Sequence, residues 1–186
     1  MGLHDDALTV LSALPTSVLR DRYVEHLRTH PDGMYRTCSP DHITASMLVL
    51  SHDHRQVLLT LHSKARQWFQ FGGHCEPADV TLVGAAMREA LEESGLPHID
   101  VDPVPIHLDE HPVPFCNGGS SHLDVRFLGI APEGAEHAVS QESLDVRWWP
   151  VDALPTSEGS IRELVRAALL RLVIADVDVV ATDAEV

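Results

Sequence analysis

The feature of this sequence that most restricts its fold is a glycine pair, Gly72-Gly73, between a short extended segment and an acidic helix. The aromatic residues of 68–71 are typical of a short strand, and apolar side chains recur at helical spacing over residues 81–94. Gly95 follows where a helix C-terminus favours glycine. Because glycine allows a tight turn or a close approach to a ligand, a binding motif is expected in this setting.

The predicted helix carries a cluster of carboxylates. Glu89, Glu92 and Glu93 project from one face because positions i, i+3 and i+4 of a helix are neighbours. Such a string is usually a solvated helix face. The preceding glycine loop favours a second interpretation, in which a hard divalent cation neutralises the crowded carboxylates. Arg88 lies four residues before Glu92 and is placed to pair with it.

The remaining segments alternate between helical and extended patterns. Residues 3–30 have the apolar spacing of two short helices, and a last helix is predicted to begin at Ser160, with Ser160 and Glu163 as a capping box. The other strand-like runs cover residues 43–51, 56–62, 101–111, 122–130 and 144–149. This order predicts a mixed sheet packed between helices.

Two of these segments have special features. Four prolines lie in or just after the run 101–111, so this strand is predicted to be interrupted or at an edge of the sheet. Residues 175–186 alternate valine and aspartate over part of their length. This pattern is compatible with an added strand or with a frayed end, and both alternatives stay open.

Composition restricts the class of partner. A chain of 186 residues with a net charge of −15 is expected to form one domain and to be repelled by nucleic-acid polymers, but a small phosphorylated substrate is compatible with that charge. No apolar run is long enough for a membrane span, and the N-terminal residues are acidic where a signal peptide would be basic. Three cysteines without paired spacing favour a reducing compartment. We therefore expect a cytoplasmic protein that binds no membrane.

At this point the sequence resembles the Nudix family. The family signature is a glycine, five residues, a glutamate, seven residues, and then Arg-Glu-aliphatic-x-Glu-Glu-x-Gly-aliphatic. Residues 88–96 match the second part, with Ala90 as a small stand-in for a larger aliphatic residue. In the first part, five residues lead from Gly73 to Asp79 instead of a glutamate, and eight residues instead of seven separate Asp79 from Arg88. We interpret this departure as one additional residue in the loop before the helix.

The resemblance extends beyond the signature and implies a fold. Residues 68–73 are similar to the strand that leads into a Nudix loop, and residues 143–154 are similar to a late strand and turn of such domains. The implied fold class is α/β, a Nudix-type α/β/α sandwich with a mixed β-sheet and an N-terminal helical extension. The predicted divisions are a helical extension at 1–39, a Nudix hydrolase domain at 40–175 and an acidic C-terminal tail at 176–186.

The resemblance also implies a metal site. It assigns Glu89, Glu92 and Glu93 as metal ligands, with the carbonyl of Gly73 completing the shell. The implied cofactor is Mg²⁺, with Mn²⁺ as an alternative. Such an ion draws charge from diphosphate oxygens and lowers the pKa of an attacking water.

Catalytic and substrate-binding residues follow from the same resemblance. The general base is either a glutamate of the signature or a glutamate of a later loop, for which Glu142 is the candidate; an ordinary turn residue is the competing interpretation of Glu142. The predicted catalytic residues are Arg88, Glu92, Glu93 and Glu142. The predicted substrate-binding residues are Gly72, Gly73 and His74.

The implied activity is a hydrolase that cleaves a diphosphate linkage by water attack at phosphorus. Its expected substrate is a small phosphorylated compound, either nucleoside diphosphate-linked or a nucleoside triphosphate, and a homodimer is expected by family habit. One alternative is a non-catalytic nucleotide-binding regulator, which would have no need of the metal face. Another is an enzyme similar to isopentenyl diphosphate isomerase, but neither Cys75 nor Cys116 lies in a motif that matches its catalytic cysteine.

Histidines are unusually frequent, with 13 in the chain. A zinc site is an alternative for four residues in the second half: His107, His111, Cys116 and His122. Their spacing matches no standard zinc pattern, so we interpret them as ordinary surface or core side chains. Core packing is likewise preferred to base stacking for three aromatic residues: Trp68, Phe69 and Phe115.

Overall fold

The structure is a computed structural model that describes residues 2–114, 116, 119–140 and 143–183. Its helices are α1 (Leu3–Ala13), α2 (Val18–Thr29), α3 (Leu82–Ser94) and α4 (Gly159–Asp183). Its strands are β1 (His42–Leu50), β2 (Gln56–His62), β3 (Trp68–Phe69), β4 (Phe71–His74), β5 (Asp100–Val113), β6 (Ser120–Ile130) and β7 (Ser143–Pro150). The predicted order of helices and strands is confirmed.

The strands form one mixed sheet with β1 at its centre. Strand β1 runs parallel to β6 and antiparallel to β2 and β4, and the main path of the sheet is β3-β2-β1-β6-β5. Strand β7 pairs with β2 and continues the sheet on that side. The sheet brings the glycine pair of β4 beside the middle of β1.

The two faces of the sheet bury separate apolar cores. Alternate side chains of β1, such as Ile43 and Met47, lie in a core that also contains buried residues of α1, α2 and α3. The intervening residues Leu48 and Leu50 pack with Leu164 of α4 on the opposite face. Helices therefore cover both faces, as the α/β/α sandwich requires.

The N-terminal helices are part of the main core. Leu11 of α1 and Tyr23 and Leu27 of α2 are fully or almost fully buried in it. The Tyr23 hydroxyl also donates a hydrogen bond to the carbonyl of Asp109 on β5, at 2.8 Å. These helices lie outside residues 40–175, but they pack on the sheet as one of its layers.

Helix α4 differs from two expectations. It begins at Gly159, and the Ser160 hydroxyl is hydrogen-bonded to Asp109 and Arg126, so the predicted capping box of Ser160 and Glu163 is wrong. Its backbone is helical through Asp183, so residues 176–183 continue α4 and add no strand. None of the described helices is long and apolar enough to cross a membrane.

Strand β5 lies at an edge of the sheet, where it pairs with β6 alone among the described strands. Its register shifts between Asp102 and His107, a segment that contains Pro103 and Pro105. Proline has no backbone N–H for a ladder hydrogen bond. The predicted interrupted edge strand is confirmed.

Candidate active site

Helix α3 is fixed at both ends. The Thr81 hydroxyl accepts a hydrogen bond from the backbone N–H of Gly84 at 3.1 Å, as an N-cap residue does. The carboxylate of Asp6, on α1, accepts from the backbone N–H of Leu82 at 2.8 Å. At the other end, Gly95 adopts a left-handed conformation with φ 67°. These contacts fix the helix that carries the acidic residues.

The face of α3 that lies on the sheet is built from small and apolar residues. Ala86 and Ala90 are completely buried against the core. Ala90, which stands where the family signature has a larger aliphatic residue, therefore lies in a close contact between helix and sheet. Arg88 and the three glutamates are less buried and lie on the remaining surface of the helix. The sequence therefore separates a packing face from an acidic face.

The glycine pair permits close contacts that no other residue allows. Gly72 has φ +154°, and a Cβ atom there would lie 2.2 Å from the Cβ of Ser46 on β1. A Cβ atom on Gly73 would lie 2.8 Å from the Oε1 atom of Glu89. The loop thus lies directly against both β1 and the first glutamate of α3.

Two of the three carboxylates lie against this loop. Glu89 lies against Gly73, and the Oε2 atom of Glu93 accepts a hydrogen bond from the backbone N–H of Gly72 at 3.3 Å. Glu92 is 61% exposed and points to solvent beside them. The result is one helix face that presents carboxylate oxygens, the kind of ligand that Mg²⁺ prefers.

Arg88 joins this acidic face to the loop that precedes the helix. Its Nη1 atom donates to Glu89 at 3.1 Å and to Glu92 at 3.2 Å, and its Nη2 atom donates to the carbonyl of His74 at 3.1 Å. It also forms a two-point contact with Asp79, at 3.1 and 3.0 Å. A planar guanidinium held at so many points has a fixed orientation.

Asp79 is the anchor of that arginine. Its side chain is only 7% exposed, and it also accepts a hydrogen bond from the backbone N–H of Glu76. Burial alone would raise the pKa of Asp79, but the hydrogen bond from Arg88 and the backbone hydrogen bond lower it below its usual value. The longer loop and the shorter acidic side chain therefore still bring a carboxylate to Arg88.

The other predicted site residues have different surroundings. The carbonyl of His74 faces Arg88, whereas its ring nitrogen Nε2 lies 3.8 Å from the sulfur of Cys116. The Trp68 ring packs edge-on against Trp149 at 5.3 Å, which agrees with core packing. Two residues of the sequence-based predictions lie outside the described residues: Glu142 and Phe115.

A buried polar network on β1, β5 and β6 was missed by sequence reasoning. Asp124 accepts hydrogen bonds from the hydroxyls of Thr44 and Ser46 and from Arg126, at 3.0, 2.8 and 2.8 Å. Arg126 also pairs with Asp109 at 2.8 Å. Polar residues at alternate positions of predicted buried strands were the available signal, because alternate residues share one face.

Burial would raise the pKa of Asp109, but its partners reverse the effect. Hydrogen bonds from His111 and Ser160 and the charge of Arg126 lower the pKa of Asp109 to about 2. This carboxylate connects β5 to β6 through Arg126 and to α4 through Ser160. The ionised Asp109 side chain therefore connects β5, β6 and α4 through noncovalent contacts.

A second group of metal-binding residue types lies next to the glycine loop. The potential ligand atoms of His42, His74, Cys116 and His122 all lie within 4.8 Å of one another. Cys116 and His122 belong to the four residues for which zinc was considered from the sequence. His107 and His111 are not members of this group, and its other two members are His42 and His74.

The fold is an α/β sandwich in which an acidic helix, held by Arg88, packs on a glycine loop. The chain belongs to the Nudix family, since the family model described as NUDIX domain matches residues 40–168. The family generally uses a divalent metal, and by this membership the chain is classed as a pyrophosphohydrolase. No curated protein gives a significant match to the chain.

Solved structures have the same fold. A Nudix-family hydrolase from Clostridium perfringens is 24% identical, with a TM-score of 0.56, and the match covers 69% of this chain and 97% of that one. An Ap4A hydrolase from C. elegans is 17% identical, with a TM-score of 0.58 and coverage of 70% and 97%. The Nudix domain of NrtR from Shewanella oneidensis, solved with ADP ribose, is 20% identical, with a TM-score of 0.55 and coverage of 80% and 97%.

Proposed function

We propose that this chain is a Mg²⁺-dependent hydrolase that cleaves a diphosphate linkage in a nucleoside diphosphate-linked or nucleoside triphosphate substrate. The observation that supports the proposal most strongly is that Glu89 and Glu93 lie against the glycine pair, while Arg88 links Glu89 to Glu92 on the same helix face. A non-catalytic module would have no need to place three carboxylates on one helix face, because like charges there repel one another.

The residues present fit a hard divalent cation. The side-chain atoms on this face that could bind a metal are carboxylate oxygens. Gly73 leaves open the space that a Cβ atom would take beside Glu89. In the proposal, Glu89, Glu92 and Glu93 hold Mg²⁺ together with the carbonyl of Gly73, and Mn²⁺ is the alternative ion. When bound there, the ion would neutralise diphosphate charge and acidify an attacking water.

The remaining roles belong to residues of the chain. Arg88 holds Glu89 and Glu92 in fixed positions and adds positive charge beside the bound phosphates. Gly72, Gly73 and His74 form the loop that approaches the substrate. Glu92 or Glu93 takes the proton of the attacking water if Glu142, the candidate from the later loop, does not. The placement of these residues around the substrate, rather than a covalent intermediate with the protein, lowers the activation barrier of hydrolysis.

The ligands named for the structural relatives support a nucleotide-like substrate. One relative is an Ap4A hydrolase and another was solved with ADP ribose. Both compounds contain phosphoanhydride bonds attached to adenosine. We therefore propose a small nucleotide derivative as substrate, together with the cytoplasmic location and the homodimer expected from the sequence.

The first test is a product-release assay over a panel of dinucleoside polyphosphates, nucleotide sugars, ADP-ribose and nucleoside triphosphates. Wild type is compared with Glu92→Gln and Glu93→Gln, each with Mg²⁺ and with chelator. We expect Mg²⁺-dependent cleavage of at least one compound and a loss of about a hundredfold or more in both variants. Glu163→Gln, on an exposed part of α4, is the matched control and should keep wild-type activity.

The alternative functions give different results in the same assay. Binding of panel compounds without phosphate products would contradict hydrolysis and support the nucleotide-binding regulator. Conversion of isopentenyl diphosphate without release of phosphate would support the isomerase. Cleavage that is unaffected by chelator would contradict the proposed role of the acidic helix.

A further inference from the structure

We infer that His42, His74, Cys116 and His122 form a second metal site, built for a Zn²⁺ ion and separate from the acidic face of α3. Their ligand atoms all lie within 4.8 Å of one another, and each residue offers one nitrogen or sulfur atom. None of the four is a carboxylate, whereas the acidic face offers only carboxylates. The two groups therefore suit different metals: imidazole and thiolate suit Zn²⁺, and carboxylates suit Mg²⁺.

The sheet itself brings the three histidines together. His42 of β1 is the register partner of His122 on the parallel strand β6. Thr44, two residues after His42 and on the same face, is the register partner of His74 on β4. Neighbouring strands therefore direct three imidazoles to the same face and the same end of the sheet. Their ring centroids lie 4.9 to 5.1 Å apart.

Cys116 completes the group from the connection between β5 and β6. Its sulfur atom lies 3.9 Å from Nε2 of His42 and 3.8 Å from Nε2 of His74. In a tetrahedral zinc site, bonds of about 2.3 Å to sulfur and about 2.0 Å to nitrogen place these atoms about 3.6 Å apart. These two sulfur–nitrogen separations thus need only a small contraction to match the coordination of Zn²⁺, and the other ligand atoms lie within 4.8 Å of one another.

The site is buried as a structural zinc site is. His42 is completely buried and Cys116 is 3% exposed, while His74 and His122 are partly buried. Within the described part of the chain, the buried Nε2 atom of His122 has no hydrogen-bond partner. A buried polar atom without a partner costs free energy, and coordination to a metal would satisfy it.

Charged residues of both signs surround the group. Arg36 places positive charge near His42 and His74, and Asp41 and Asp124 place negative charge near His42 and His122. A thiolate at Cys116 would leave the Zn²⁺ complex with one net positive charge. The proton of the thiol is released to solvent when the metal binds.

Four protein ligands leave no open position on a tetrahedral ion, so we assign this zinc a structural role. It would tie the start of β1 to the end of β4, the start of β6 and Cys116. His74 directly follows Gly73, and its carbonyl accepts from Arg88 at 3.1 Å. The zinc would therefore hold the loop on which the Mg²⁺ site is built, without contacting the substrate.

The test is the metal content and metal affinity of the full chain. We expect about one zinc per chain by mass spectrometry of metals, and a thiolate-to-metal absorption band when the apoprotein takes up Co²⁺. Cys116→Ser should remove that band and weaken zinc binding by at least about a hundredfold. Cys38→Ser removes another buried thiol, one that lies beside Asp32, and should bind zinc as wild type does.

A second pair of variants covers the case in which Cys116→Ser does not fold. His122→Gln should weaken zinc binding as strongly, whereas His111→Gln, on the neighbouring strand and bonded to Asp109, should not. Glu92→Gln should retain the zinc, which separates this site from the acidic face. Failure of the wild-type apoprotein to bind Zn²⁺ or Co²⁺, a Co²⁺ spectrum without a thiolate band, or equal zinc affinity in all variants would overturn the inference.

Discussion

At the scale of single residues, the proposed active site depends on how closely Glu89 can approach the loop. The space beside Gly73 is narrow because a Cβ atom there would lie 2.8 Å from the Glu89 oxygen. Any side chain at this position pushes the first glutamate away from its neighbours. The position therefore affects catalysis more than it affects folding.

We predict that Gly73→Ala lowers Mg²⁺-dependent turnover by about a hundredfold, the scale expected when a catalytic group is displaced by about 1 Å. Turnover and thermal unfolding are measured on the same preparation. The melting temperature should change little, because the atoms nearest to the new methyl group are at the end of a flexible side chain, Glu89. Gly159→Ala is the control, since a Cβ atom there meets no other atom within 4 Å. Equal activity of Gly73→Ala and wild type would contradict the proposed role of Glu89.

Asp79 is predicted to act through Arg88. Asp79→Asn removes the charge that holds the guanidinium at two points, so kcat should fall by about tenfold to a hundredfold with a smaller change in KM. Asp79→Glu keeps the charge and should restore part of the loss. Steady-state kinetics of both variants make the test. A loss of the same size in both would mean that Asp79 serves packing rather than the orientation of Arg88.

Side chains on one helix were predictable from the sequence, and side chains on distant strands were not. Glu89, Glu92 and Glu93 are neighbours by helical spacing alone, so their meeting follows from local periodicity. His42 and His122 meet only because β1 and β6 pair in parallel, far apart in sequence. No local pattern indicates that pairing, and for this reason His42 was absent from the four residues for which zinc was considered as an alternative.

At the scale of elements, α1 supports α3 directly. The Asp6 carboxylate accepts a hydrogen bond from the first backbone N–H of α3, at 2.8 Å, where the helix dipole also favours a negative charge. Residues outside the region matched to the family thus stabilise the helix that carries the acidic face. The N-terminal helices contribute to the site through this contact without touching it.

We predict that Asp6→Ala lowers the free energy of unfolding by about 1 kcal/mol, as the loss of a helix cap does. Urea unfolding followed by circular dichroism measures this change. Glu25→Ala, on the exposed side of α2, removes an equal charge and should have an effect below about 0.5 kcal/mol. Similar losses in the two variants would show that net charge, and not the contact with α3, is responsible.

The elements themselves were largely predictable, and the differences have local causes. The prolines in the run 101–111 correctly predicted an interrupted edge strand. Ser160 was assigned as a helix cap because its residue type and its spacing from Glu163 suit that role. In the structure its hydroxyl binds Asp109 and Arg126 instead, partners that belong to other strands. Tertiary hydrogen bonds thus overrode a local signal.

At the scale of the whole molecule, Asp109 links stability to pH. Its pKa is about 2 in the folded chain, below its ordinary value of 3.8, so the folded state favours the ionised form. A lowered pKa stabilises the fold fully above the ordinary value, and this stabilisation is lost as the pH falls through about 2. The carboxylate connects β5, β6 and α4, so its protonation weakens contacts among all three.

We therefore predict that Asp109→Asn costs about 2 kcal/mol of unfolding free energy at pH 7. The difference from wild type should shrink as the pH falls from about 4 to about 2, where about half of the wild-type carboxylates are also protonated. Denaturant unfolding across this range is the measurement. Asp100→Asn removes an exposed carboxylate from the same strand and should give a small, nearly constant difference. A constant large difference for Asp109→Asn would contradict the assigned pKa.

The fold of the whole chain was predictable because the order of strands and helices and the family resemblance agree. The buried network around Asp124 was not, since its members come from separate strands and each looks like an ordinary strand residue. The continuation of α4 through Asp183 was also left open by an alternating pattern that suits a strand as well as a helix.

The proline-interrupted edge strand has a consequence for how copies of this chain can associate. An open sheet edge invites another strand to add to it, which leads to fibres or to sheets shared between molecules. Pro103, Pro105 and Pro112 remove backbone donors from β5 and so leave fewer hydrogen bonds for such an addition. The proposed homodimer would therefore form through the helices or the faces of the sandwich, and concentrated solutions should resist self-assembly through β5.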